Sequence, residues 1–119
     1  MYDFIMLPKN YRLKKRTAFA ATYRTGKTLY YNGITMFIGK EKENESPTKV
    51  GFVVSKKFHK RAVKRNRIKR LMRESYRLLI KEDNVPSKYL SLIFVASSKL
   101  LNKNFKEIDF AVRKLVSKL

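Results

Sequence analysis

Arg65-Asn66-Arg67 opens a run that continues Ile68-Lys69-Arg70-Leu71-Met72-Arg73-Glu74-Ser75-Tyr76-Arg77. Guanidinium groups grip phosphate through a planar fork of N–H donors, and Asn adds both a donor and an acceptor. On a helix at about 100° per residue, Ile68, Leu71, Met72, Ser75 and Leu79 share one side. Asn66, Arg70, Arg73 and Arg77 share the opposite side. Such a helix docks on a core and presents a ladder of guanidinium groups outward. The like-charged pairs Lys69/Arg73 and Arg73/Arg77, at i,i+4, each oppose an isolated helix by about 0.2–0.5 kcal/mol, and Glu74 alone offsets them. From Ser55 to Lys81, twelve Lys or Arg stand against that one acid, whereas an ordinary solvated face mixes signs. An anionic partner is therefore expected, with Arg65 and Arg70 pointing to solvent in the free protein.

Aromatic rings near basic residues add a second chemistry, the stacking of unpaired bases while Lys and Arg take the phosphates. Phe19 and Tyr23 stand at i and i+4 on one helix face, and Phe37 lies opposite Ile34, Met36 and Ile38 on a strand. The same spacing fits an ordinary core stripe, so the pattern by itself leaves both roles open.

Net charge decides the class of partner. The 29 Lys and Arg against 9 acids give +20, with a sequence pI of about 10.4. Nucleic acid is the first candidate for relieving that charge and an anionic membrane surface the second. Catalytic groups are scarce. His59 is the sole histidine, sits in a basic run, and there is no Cys, so neither a zinc constellation nor a disulfide is possible. The acids are scattered, no pair suggests a two-metal nuclease, and the four Gly residues form no phosphate loop. No catalytic residue and no metal ligand is expected in the polypeptide. No apolar run reaches membrane-spanning length, and the start lacks the basic and apolar regions of a secretion signal, so a cytoplasmic location is expected.

The elements that must position these residues follow from the pattern. With 119 residues and 44% apolar content, one domain over 1–119 with a real core is expected, residues 1–6 forming a flexible extension, or residues 1–5 a non-essential one if translation starts at Met6. Tyr11 to Lys15 reads as an extended entry, followed by a short helix capped by Thr17 and closed near Gly26. Strands are predicted near 28–31, over 34–38, over 50–54 and over 90–96. The polar stretch from Lys40 to Pro47 reads as a mobile hairpin tip. The basic helix is predicted over 62–81, with Pro86 enforcing a break beyond it. Asn104 and Glu107 form a capping-box start to a last helix that buries Phe105, Ile108, Val112, Leu115 and Leu119. The resulting order, helix, strands, helix, strand, helix, predicts one mixed sheet with helices packed on it, an α/β (α+β) two-layer sandwich.

Val54-Ser55-Lys56-Lys57, Arg61-Ala62 and the Arg65-to-Arg77 run together closely resemble the signature of the bacterial ribonuclease P protein subunit. Leu7-Pro8-Lys9-Asn10-Tyr11-Arg12-Leu13 and the Phe19, Tyr23, Gly26 spacing also look like that family, with Tyr23 where Phe is common. The resemblance implies a ribosomal-protein-like fold with a left-handed β-α-β crossover around the basic helix. It implies that an RNA subunit cuts the 5′ leader from precursor tRNA with Mg²⁺ while the protein binds that RNA and the leader. Carried over by position, Arg61, Arg65, Asn66, Arg67, Lys69, Arg70, Arg73 and Arg77 would contact the RNA subunit. Phe19, Tyr23, Phe37, Lys56 and Lys57 would contact the leader. A structural RNA-binding protein, such as a ribosomal protein, shares the composition without the Arg-Asn-Arg signature.

Overall fold

The computed structural model describes residues 7–55, 57 and 60–119. The expected extension over residues 1–6, the leader candidate Lys56 and the lone His59 fall outside the described residues. The elements are α1 (Arg16–Arg24), β1 (Lys27–Tyr31), β2 (Ile34–Ile38), β3 (Lys49–Val53), α2 (Ala62–Lys81), β4 (Ser91–Ala96) and α3 (Phe105–Ser117).

The four strands form one mixed sheet in the order β1-β2-β4-β3. β1 and β2 are antiparallel and joined by a two-residue turn, Asn32-Gly33, both with positive φ (46° and 101°). Asn-Gly adopts that backbone readily, and its twist matches the strands it connects. β4 inserts beside β2 in antiparallel sense and pairs with β3 in parallel, so α2 is the crossover between β3 and β4. This insertion overturns the hairpin reading of 40–47. β2 and β3 are not neighbours, and the connection instead passes the start of β4, with Lys42 N–H donating to the Lys88 carbonyl at 3.0 Å.

Register decides what each face of the sheet carries. Met36, Phe94 and Phe52 lie in one row across β2, β4 and β3, and Ile38, Leu92 and Val50 in the next. These residues face α2 and α3, whose Ile68, Met72, Tyr76, Leu79, Ile108, Val112 and Leu115 complete the buried core. Phe52 stacks on Phe94 at 5.6 Å, and the buried Tyr76 ring meets both. Ile68, Met72 and Tyr76 follow at intervals of four, so Tyr76 belongs to the core stripe although its hydroxyl makes it look polar. Phe105 and Leu119, predicted as buried, are only partly covered.

α1 leans on the other face. Thr22 is buried there, its hydroxyl bonded to the Ala18 carbonyl at 2.8 Å and to the Ser91 hydroxyl, while Thr25 donates to the Ile38 carbonyl. Thr17 is not the cap of this helix. Lys15 holds the N-cap position, and its carbonyl accepts from the Ala18 and Phe19 N–H groups. Before α1, Lys9–Tyr11 form one 3-10 turn, and Arg12 then bridges Val50 in parallel, extending the sheet past β3. At α3 the predicted capping box is present: Asn104 accepts from Glu107 N–H at 2.9 Å, and Glu107 accepts from Asn104 N–H at 3.2 Å. No helix among the described residues is long and apolar enough to cross a membrane.

Candidate RNA interface

The sheet face under α1 is only partly covered. Phe37 lies in a row with Ile93 of β4 and Gly51 of β3, pointing away from the α2/α3 core. Tyr23 meets Phe37 edge-on, ring centroids 4.8 Å apart and planes at 81°. Phe19 lies over Gly51 so closely that a Cβ there would stand 2.6 Å from its Cζ. Gly51 is thus the seat of the Phe19 ring. Tyr23 is 38% exposed, Phe19 and Phe37 are partly exposed, and none of the three belongs to the core cluster. Partial burial raises the Tyr23 phenol pKa, so its hydroxyl stays a neutral donor. The three rings lie outside the main core and form a partly exposed group on this face. Lys57 is exposed just beyond the end of β3.

Sequence reasoning missed part of this face. Thr35, Val53 and Val95 form a second, partly exposed row beside the aromatic one. Tyr30, opposite Thr35 and 52% exposed, extends it to the β1 edge, where the Lys99 ammonium lies 5.9 Å from its ring. The strand alternation of β1 was the available signal, since it places Tyr30 on the Phe37 side once β1 and β2 are paired.

The basic helix does not present one ladder. Asn66, Arg67 and Arg70 are exposed, as is Arg61 in the N-cap position. Arg67 reaches sideways to donate to the Lys103 carbonyl at 3.0 Å. Arg65, expected to point to solvent, is partly covered and donates to the Lys60 carbonyl at 2.8 Å. Arg77 forms a fork with Glu74 (Nη2–Oε1 2.7 Å, Nε–Oε2 3.2 Å), which raises its pKa.

Lys69 and Arg73 turn instead toward the N-terminal segment. With Arg12, Lys14, Leu7, Leu13, Phe19, Val50, Gly51 and Phe52 they line an open cavity of about 480 Å³. Burial lowers the Arg73 pKa, and repulsion from Arg12 and Arg70 lowers it further. Arg12 Nε and Tyr76 Oη are the buried side-chain polar atoms among the described residues without a hydrogen-bond partner. An unpaired buried donor inside a group of like charges is costly, and an arriving anion relieves both penalties. Phe19 and Gly51 line the same cavity, so the cation cluster and the aromatic face are continuous.

A sequence profile described as Ribonuclease P matches residues 7–119. The ribonuclease P protein component of Clostridium novyi (strain NT) is 38% identical over 112 residues, covering 94% of this chain and 96% of that protein. Its counterpart from Clostridium kluyveri is 37% identical, covering 91% and 93%. The ribonuclease P protein of Staphylococcus aureus superposes with a TM-score of 0.76 at 25% identity, covering 91% of this chain and 94% of that one.

Proposed function

The chain belongs to the family of ribonuclease P protein components, each part of an endoribonuclease, and we propose that it assists removal of the 5′ leader from precursor tRNA by holding two RNAs at once. The catalytic RNA docks along α2, through Arg61, Arg65, Asn66, Arg67, Lys69, Arg70 and Arg73. The single-stranded leader lies across the open sheet face, its bases against Phe37, Tyr23 and Phe19 and its phosphates near Lys57 and Lys56.

The continuity of the cavity carries this reading. Phe19 and Gly51 line the same space as Arg12, Lys69 and Arg73. A strand stacked on the rings therefore passes directly beside the cations of the helix that holds the larger RNA. Stacking contributes about 1–3 kcal/mol per base whatever its identity, which suits leaders of varied sequence. Each phosphate taken by Lys or Arg releases condensed ions.

Cleavage itself is assigned to the RNA subunit, and the Mg²⁺ it uses to that RNA. Among the described residues no three His, Cys, Asp or Glu side chains gather as ligands. The protein's own work is to bind, orient and neutralise, in the cytoplasm where tRNA precursors are made.

Leader release against Mg²⁺ concentration, for protein alone, RNA subunit alone and their mixture, tests the proposal. The expected result is no cleavage by the protein, cleavage by the RNA at high Mg²⁺, and a lower Mg²⁺ requirement for the mixture. Cleavage that stays with nuclease-treated protein, or a mixture no better than RNA alone at low Mg²⁺, overturns it.

A further inference from the structure

Residues 106, 110, 114 and 118 follow at intervals of four along and just past α3, and read Lys, Phe, Lys, Lys. All four are exposed, Phe110 to 58%. An exposed Phe is unremarked on most surfaces. This one faces a second ring: Tyr31 of β1 lies 6.1 Å away, tilted by 54°, and the Lys118 ammonium sits 5.6 Å from the Tyr31 centroid. The rings, with Asn32, Lys106 and Glu107, line a groove of about 410 Å³.

The local charge is also unbalanced. Glu107 is engaged by Asn104 N–H and Lys103, and Asp109 by Arg113 and Ser75. Among the described residues no acid pairs with Lys106, Lys114 or Lys118. Tyr31 shares a sheet face with Ile34, on the α2/α3 side, so this groove is separated from Phe37 by the sheet itself.

We propose that the Tyr31–Phe110 groove is a second binding site for unpaired RNA, in which a base stacks on Phe110 and its flanking phosphates meet Lys106, Lys114 and Lys118. Helical geometry places Lys106 and Lys114 about 6 Å along the axis on either side of the ring, so neighbouring phosphates on each side of one base are served. Aromatic rings between unpaired cations match the chemistry of single-stranded nucleic acid, where every base offers a face and every linkage a charge. The Asn32 side chain at the wall supplies a donor and an acceptor for a base edge.

The test is an NMR titration of the intact chain with penta-uridylate, and separately penta-adenylate, following the ring signals of Tyr31, Phe110 and Phe37. The expected result is movement of Tyr31 and Phe110 in the wild type. In F110A the oligonucleotide should bind at Tyr31 about 5- to 150-fold more weakly, and F110Y should restore it. K106A/K118A, which leaves both rings in place, should weaken the same signals. Tyr31 and Phe110 signals that stay still at saturation in the wild type, or Tyr31 signals that move equally in F110A, overturn the site. So do shifts that depend on protein concentration without RNA, which would make the groove a contact between two copies. The Phe37 signals report on the proposed leader face separately, so either site can fail while the other stands.

Discussion

Gly51 is where a single atom decides the shape of the proposed leader site. A methyl group there would collide with the far end of the Phe19 ring, at 2.6 and 2.7 Å. Because a ring edge can swing aside more easily than backbone, Gly51→Ala should preserve the fold while displacing Phe19. Precursor tRNA affinity should fall and mature tRNA affinity hold, since only the precursor carries the leader. Phe37→Ala makes the stronger version of this prediction: about 5- to 150-fold weaker precursor binding, with product binding unchanged. Paired affinity measurements check both variants, and an equal fall for the two tRNAs would show that the ring only supports the fold. The i,i+4 pairing of Phe19 and Tyr23 was readable from spacing, and so was the outward side of Phe37. What spacing could not show was that both lie on the same side of the sheet. That depends on Thr22 meeting Ser91, residues 69 apart in sequence, and no local periodicity carries such a contact.

Helices α2 and α3 show how far pattern reaches at the level of elements. The predicted bounds of α2 match those observed, and its buried stripe, from Ile68 to Leu79, lies within them at helical spacing. The capping box of α3 was equally readable, because Asn104 and Glu107 satisfy each other within one turn. Asn104→Ala should therefore cost about 1 kcal/mol, seen as a lower midpoint in urea unfolding with unchanged slope. The polar side of α2 was misread as one ladder, because helical phase gives a direction and not a destination. Lys69 and Arg73 find the N-terminal segment, Arg67 finds the Lys103 carbonyl, and Arg77 finds Glu74. These destinations separate residues that the sequence grouped together. Arg77→Ala should leave affinity for the RNA subunit close to wild type, because that guanidinium is already engaged. Arg70→Ala, on an exposed side chain, should weaken assembly about tenfold, the loss of one charge-assisted hydrogen bond. Holoenzyme dissociation constants for the two variants check this. A larger loss from Arg77 than from Arg70 would mean that Glu74 releases its partner on binding.

For the molecule as a whole, charge was legible and topology was not. Composition alone gives +20 and an anionic partner, whereas the strand order β1-β2-β4-β3 rests on pairings between distant segments. The same folding concentrates the charge. Arg12 and Lys14, from the entry segment, join Lys69 and Arg73 of α2 around one cavity, so cations some sixty residues apart act on a single stretch of RNA. This arrangement fixes the expected response to salt. If about six phosphates are neutralised along α2 and its cavity, a coefficient of about 0.7–0.9 per contact gives a log–log slope near −4 to −5. Between about 50 and 200 mM salt, affinity for the RNA subunit should then fall several hundred- to a thousandfold. Each exposed cation removed should reduce the slope by about one, so Arg70→Ala should bind more weakly and also less salt-sensitively. Those two changes distinguish a lost phosphate contact from a distorted fold, which would lower affinity without a defined step in slope. A wild-type slope near zero would mean that assembly is driven by shape and apolar contact, leaving the cation cluster without its proposed partner.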